Sequence, residues 1–287
     1  MPLSLIMTQS DLAHLEPGSV FVPTMGALHE GHAALIRAAA AIAKPLGLQV
    51  SVSIFVNPTQ FNDPSDFARY PKTLDADIAL CEASGAQIIF APELTVMYPK
   101  GVNPVTGKTW PGDIPVPPLP FVATQPGLED GFRPGHFAGV CQVVNRLFKL
   151  VRPGHALFGE KDWQQLQVLT AMTRELGLPI QVHGHPTIRE PDGLALSSRN
   201  RFLSPADRLA ARSLSQALAA GCRESSPAAA ESAMKSVLAR AGAMPDYAVV
   251  RQSESLRSDT VGPHRALIAA RVGPVRLIDN CDWPTGI

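Results

Sequence analysis

Two histidines stand three residues apart in PTMGALHEGH, residues 23–32, directly after the first apolar run of the chain. His29 and His32 leave three readings open: metal ligands, groups that meet a nucleotide, or parts of an ordinary turn. Zinc is the weakest of the three. Metalloprotease histidines stand four apart on an unbroken helix, whereas here the spacing is one short, Gly31 intervenes and no third ligand accompanies the pair. NPTQF, residues 57–61, offers the amides of Asn57 and Gln60, which hold a hydroxyl or carboxylate without adding charge. FGEKDWQQL, residues 158–166, offers Lys161 as a point charge for phosphate and Asp162 as an acceptor for a hydroxyl or ammonium. LALSSRNRFL, residues 194–203, sets Ser197 and Ser198 ahead of Arg199 and Arg201, a group able to grip polyphosphate. Taken singly, each cluster also reads as a turn, a solvated helix start or surface charge.

The elements that must position these groups alternate in type. Short β-branched runs over residues 19–22, 50–56, 86–91, 155–159 and 179–184 read as strands, and residues 31–44, 76–84, 138–150 and 163–176 as helices. Alternation of this kind, with strands apolar on both faces, predicts an α/β fold with a doubly wound parallel sheet. Ligands of such sheets sit beyond the C-terminal strand ends, at helix N-termini, and the first three clusters fall there. Past about residue 190 the character changes. Ser204-Pro205 starts a helix, residues 209–220 and 228–241 read as helices, and 247–250, 266–272 and 275–278 as short strands. Gly273-Pro274 turns between the last two. The expected organisation is therefore a larger domain over residues 1–187 and a smaller α+β domain over 188–287.

The 287 residues are 45% hydrophobic, and Lys+Arg and Asp+Glu both total 25. A balanced charge argues against a nucleic-acid surface. Cys81, Cys141, Cys222 and Cys281 are far apart without a C-x-x-C pair, so reduced thiols are expected rather than a disulfide framework or a zinc cluster. No leader-like N-terminus and no run of the ~18 apolar residues that a membrane span needs are seen. A cytoplasmic protein without membrane or nucleic-acid partners is expected.

Together, PTMGALHEGH, SIFVNPTQF, RYPKT, RPGHFAGV, FGEKDWQQL and REPDGLALSSRNRFL resemble, in order, the signature segments of the pantoate–β-alanine ligases. RLIDN, residues 276–280, extends the likeness toward the C-terminus. The resemblance implies a Rossmann-like member of the nucleotidyltransferase superfamily with a C-terminal lid domain, acting as a homodimer. It implies joining of (R)-pantoate to β-alanine through a pantoyl-adenylate, with ATP and Mg2+ required and AMP and pyrophosphate released. By this likeness His29-Glu30-Gly31-His32 is the His-x-Gly-His element, with His29, His32 and Lys161 catalytic. Met25, Gly26, Gly159, Asp162, Ile188, Leu196, Ser197, Ser198 and Arg199 complete the ATP site, and Asn57, Gln60 and Gln165 bind the other substrates. A cytidylyl- or adenylyltransferase that keeps the nucleotide on its product is the alternative, but it leaves NPTQF and Gln165 without a task.

The chain departs from the pattern in places. Trp163 replaces a usual Tyr and Leu196 a usual Met, both apolar and of similar bulk. Where some relatives carry an acidic pair for metal, Asp75-Ala76-Asp77 stands here, so no protein ligand for magnesium is assigned. The Pro-rich stretch 99–134 is longer than the family leads one to expect. Its residues 115–120 are expected to be extended, with Trp110, Leu119, Phe121 and Val122 packed on protein at the dimer edge or site rim, and no catalytic group within it.

Overall fold

The computed structural model describes residues 3–12, 16–62, 64–103, 106–110, 113–258 and 261–284. The chain forms two compact units, Met1–Glu160 with Val168–His185, and Lys161–Gln167 with Pro186–Ile287.

Six strands build the sheet of the first unit: β1 Ser4–Ile6, β2 Val20–Thr24, β3 Val50–Ile54, β4 Ile88–Phe90, β5 His155–Gly159 and β6 Gln181–His185. Their order is β1-β4-β3-β2-β5-β6, parallel throughout. This is the doubly wound α/β sheet that the alternation predicts. The chain winds one way from β2 through β3 and β4 and the other way through β5 and β6, so the switch point lies between β2 and β5. Helices α1 Gln9–Leu12, α2 Glu30–Leu46, α3 Pro64–Arg69 and α4 Leu74–Ala83 come first. They are followed by α5 Leu94–Met97, α6 Glu129–Phe132, α7 His136–Val151 and α8 Trp163–Glu175. Helix α2 buries Ala33, Leu35, Ile36, Ala39 and Ala43, and β2, β3 and β4 contribute Val20, Val22, Val50, Val52 and Ile89 to the same cluster. Each fully buried Val or Ile side chain contributes about 1.5–3 kcal/mol. The helix stops at Gly47, whose left-handed φ of 65° lets its N–H reach back to the Lys44 carbonyl.

Strand β1 has no counterpart in the sequence reading, because only Ile6 of its three residues is buried and, among the described strands, it pairs with β4 alone. In the Pro-rich stretch, Pro104 and Pro111 lie outside the described residues. Residues 114–120 form neither helix nor strand, and Pro120 is extended. Val122 is buried as expected and Leu119 half-buried, whereas Trp110 and Phe121 are 44% and 42% exposed.

The second unit packs helices α9 Pro205–Ala211, α10 Ser213–Gly221 and α11 Pro227–Arg240 with strands β7 Met244–Gln252, β8 His264–Val272 and β9 Val275–Trp283. The strands are antiparallel in the order β7-β8-β9, with Val272 paired to Val275 across the Gly273-Pro274 turn. Leu214, Leu218, Met234 and Leu238 bury against Ala248, Val250, Ile268 and Leu277. Ser204 Oγ accepts from Asp207 N, capping α9 as anticipated, but the helix expected over 209–220 is broken at Arg212. Residues 161–167 group with this unit rather than with the sheet that precedes them. Three contacts hold them there. Trp163 Nε1 donates to the Ser253 carbonyl at 2.7 Å, the Arg265 guanidinium lies 3.5 Å over the Trp163 ring, and Asn280 Nδ2 donates to the Lys161 carbonyl. All four cysteines are free thiols: Cys81 and Cys141 are buried, while Cys222 and Cys281 are half-buried with sulfurs 3.3 Å apart.

Helix α7 passes so close to residues 58–60 that a Cβ on Gly139 would lie 2.5 Å from the Thr59 carbonyl oxygen. In an open helix Gly→Ala stabilises by about 1 kcal/mol. Here overpacking should reverse the sign, and Gly139→Ala should destabilise by about 1–3 kcal/mol in urea denaturation. A variant as stable as the parent would show that the two backbones separate at little cost.

Candidate active site

Strand β2 ends at the switch point, and the chain must turn there to enter α2. Thr24 closes the strand by donating to the Ser53 carbonyl and accepting from Gly26 N. Gly26 and Ala27 then take left-handed φ values of 78° and 51°. For Ala27 that conformation costs about 1–2 kcal/mol, and a specific interaction offsets it. Asp77 of α4, 2% exposed, accepts from Ala27 N at 3.0 Å and Leu28 N at 2.8 Å. Thr73 Oγ1 donates to the same carboxylate at 3.2 Å. A Cβ on Gly26 would stand 3.0 Å from Asp77 Oδ2, so glycine also leaves room for the carboxylate.

The turn delivers His29 as the N-cap of α2. Its Nδ1 accepts from Gly31 N at 3.2 Å, while His32 Nδ1 accepts from His29 N at 3.3 Å. The rings sit 4.2 Å apart between centroids. Two N–H groups that a helix start leaves orphaned are thereby satisfied by imidazoles. Gly31 is tolerated because it lies in the first turn. A ring nitrogen that accepts carries no proton, so both neutral rings hold theirs on Nε2. Met25 is half-buried and Gly26 buried at the head of the turn.

The second cluster follows β3. Asn57, 1% exposed, caps the short 3-10 turn Pro58–Gln60. Its Oδ1 accepts from Thr59 Oγ1 and from the Tyr98 hydroxyl, and its Nδ2 donates to Gln60 Oε1 at 3.0 Å and to the Gly139 carbonyl at 3.3 Å. The Gln60 amide is thus oriented, its oxygen taken by Asn57. The backbone of the same turn is held from two sides. His136 Nδ1 donates to the Gln60 carbonyl at 2.9 Å and Lys108 Nζ to the Thr59 carbonyl at 2.7 Å. Burial pulls the Lys108 ammonium below its ordinary pKa. Gly159 ends β5 on the other side of the switch point.

The remaining residues of interest belong to the second unit. Lys161 and Asp162 form a loose pair at 3.9 Å, and Gln165 is half-buried in the first turn of α8. Ile188 and Leu196 face each other across a narrow turn, with Leu196 N on the Ile188 carbonyl and a bridge between Arg189 and Ala195. The turn is braced at both strands. Arg189 forks onto Asp279 at 2.7 and 2.9 Å, which raises its pKa further. Arg208 pairs with Glu190, holding that carboxyl below its ordinary range, and Asn200 donates to Glu190 and to the Ala195 carbonyl. Ser197 caps the 3-10 turn Ser198–Phe202 by accepting from Arg199 N. Ser198 is half-buried and Arg199 exposed, with no carboxylate paired to its guanidinium among the described residues. Lys108, Asp279 and Asn280 are polar groups to which sequence reading gives no individual role, and Asp77 is noted there only beside Asp75 in connection with metal. Their partners are remote in the chain, and only RLIDN flags Asp279 and Asn280.

The Asp77 carboxylate is an acceptor on both oxygens, so Asp77→Asn sets an amide donor against a backbone donor. The expected loss is about 1–3 kcal/mol of unfolding free energy, read by urea denaturation; an unchanged midpoint would remove Asp77 as the anchor of the turn.

Comparison with known proteins places the chain. The sequence model of the family described as pantoate-beta-alanine ligase matches residues 6–282. The pantothenate synthetase of Salinispora arenicola is 44% identical, over 96% of this chain and 96% of that protein. A crystal structure of pantothenate synthetase from Thermus thermophilus superposes with a TM-score of 0.87 at 41% identity, covering 98% of this chain and 100% of the other. Another, of the Francisella tularensis ligase complexed with β-γ ATP and β-alanine, gives a TM-score of 0.74 at 31% identity and 99% coverage of both chains. With the doubly wound sheet, the antiparallel second unit and every signature segment spanned by these matches, the chain belongs to the pantoate–β-alanine ligase family and is an enzyme that joins pantoate to β-alanine.

Proposed function

We propose that this chain makes pantothenate in two steps, using ATP to activate the acid. A carboxylate resists amines because its leaving group would be oxide. The pantoate carboxylate therefore attacks the α-phosphorus, pyrophosphate leaves, and a pantoyl-adenylate remains bound. The β-alanine amine then attacks the acyl carbon and loses its proton, the acyl–oxygen bond to phosphate breaks, and AMP departs. The observation that carries this reading is the histidine-capped start of α2 at the C-terminal end of β2. It offers a helix N-terminus to an anion, beside two imidazoles that hold their protons on Nε2.

In this reading His32 donates to the phosphates as charge develops, with His29 beside it, and the backbone of Met25 and Gly26 lines the nucleotide. Gly159 and Asp162 meet the nucleoside, Ile188 and Leu196 flank adenine, and Lys161, Ser197, Ser198 and Arg199 bind the phosphates. The exposed, carboxylate-free guanidinium of Arg199 suits that task. Gln60 presents Nε2 to pantoate, because Asn57 occupies its oxygen, and Asn57 serves the substrate by aiming it. Gln165 is the second pantoate amide.

Magnesium would enter with the ATP substrate and supply neutralisation of its phosphate charge. The Asp77 oxygens are engaged by backbone N–H groups, Asp75 is exposed, and no cluster of three or more His, Cys, Asp or Glu suited to a metal occurs among the described residues. The exposed Trp110 and Val116 of the Pro-rich stretch favour a homodimer that covers them. Free thiols fit a cytoplasmic setting; no described helix is long and apolar enough to cross a membrane. A transferase that leaves the nucleotide on its product is not favoured, since the family match spans the chain.

Pyrophosphate–ATP isotope exchange tests the order of steps. Exchange should require pantoate and magnesium but not β-alanine; a requirement for β-alanine would overturn the adenylate. His32→Ala and Lys161→Ala should each lower the exchange rate about 10²–10³-fold, the loss typical of one preorganised donor; melting temperature should be nearly unchanged in Lys161→Ala and somewhat lower in His32→Ala, which also loses the cap on His29 N. Wild-type exchange in either variant removes that residue from the mechanism.

A further inference from the structure

Arg276–Asn280 carries the family likeness at the C-terminus yet has no task in the chemistry above. Two of its side chains, Asp279 and Asn280, are each 3% exposed in β9. Adjacent residues of a strand point to opposite faces. Asp279 forks with Arg189, and Asn280 reaches the segment Lys161–Gln167.

The amide of Asn280 has a single allowed orientation. Its Oδ1 accepts from Arg265 Nε at 2.6 Å, and a guanidinium has no acceptor, so the opposite end must be the donor. That donor, Nδ2, meets the Lys161 carbonyl at 2.9 Å. Asn280 N is held in turn by Asp279 Oδ1 at 2.8 Å. Arg265 is itself fixed, 5% exposed, with Nη1 2.9 Å from Asp282 and its guanidinium stacked on Trp163, two residues beyond Lys161. The backbone of Lys161 is therefore tied to β9 through one side chain whose polarity cannot be reversed.

A lysine ammonium sits on a flexible four-carbon stem, so where its charge can reach depends on where its backbone is held. Asp162 at 3.9 Å restrains the ammonium only weakly. We propose that Asn280 is a positioning residue for Lys161: by pinning the Lys161 carbonyl it sets the point from which the ammonium meets the phosphates of ATP. This rests on the reading of Lys161 as a phosphate ligand.

Asn280→Asp is the discriminating change, since it keeps the acceptor for Arg265 and turns an oxygen toward the Lys161 carbonyl. In the full chain it should lower pantoate-dependent pyrophosphate–ATP exchange about 10- to 100-fold, the order of loss from a displaced catalytic group. The KM for pantoate should stay within about twofold, because the effect is confined to the nucleotide side. In a Lys161→Ala background the same substitution should cause no further loss. Should the Asp variant fail to fold, Asn280→Ala removes the same donor without repulsion and is read in the same two backgrounds. An equal loss with and without Lys161, or no loss at all, overturns the role of Asn280 and leaves Lys161 as assigned. Wild-type exchange in Lys161→Ala alone instead removes the reading of Lys161, and this proposal with it.

Discussion

The first unit's site hangs on one buried carboxylate that accepts two successive backbone N–H groups. A strand that ends at the switch point must reverse within a few residues and then start a helix. The chain does so through left-handed Gly26 and Ala27, a conformation that an alanine does not adopt on its own. Asp77 makes it stable by supplying acceptors where the turn exposes donors. From that follows the entry angle of α2, the placement of His29 as its cap, and the acceptor role of both Nδ1 atoms. The protonated nitrogens of the two rings are thus chosen by backbone geometry that begins on a different helix.

The two units carry different kinds of polar group, held by different means. The first offers neutral groups: helix N–H donors, imidazoles and the oriented amide of Gln60. The second offers cations, Lys161 and Arg199, on short irregular pieces whose backbones are secured by buried polar contacts. Asp279 holds Arg189, Asn200 holds the 190–195 turn, and Asn280 holds residue 161. These short segments are kept in place by hydrogen bonds in addition to the burial of Leu166, Leu194 and Ala195. Two of those three involve a charged partner, which makes them stronger and more directional than bonds between neutral groups.

Much of this is legible in the sequence wherever the cause is local. The run at 50–56 reads as a buried strand, Ser204-Pro205 as a helix start and Gly273-Pro274 as a hairpin turn, because each depends on neighbours a few residues away. The clustering of His29, His32, Gln60, Lys161 and Arg199 in motifs is readable for the same reason. What is not readable depends on partners distant in the chain. β1 is a strand only because β4 offers it an edge. Residues 161–167 join the second unit only because Ser253, Arg265 and Asn280 receive them. The break at Arg212 interrupts a stretch whose apolar spacing continues across it.

The strand order carries a kinetic consequence. β2 and β3 are successive in the chain and adjacent in the sheet, so that pairing closes only the loop through α2. β1 must wait until the chain has passed through β2 and β3 to make β4, its partner among the described strands, and β2 must hold its other edge open until β5 arrives after α7. Loop-closure entropy is paid before such distant contacts return anything. The second edge of the central strand that launches the histidine turn can therefore be paired only once the chain through β5 is present, and an apolar strand edge left open until then is available for misassociation.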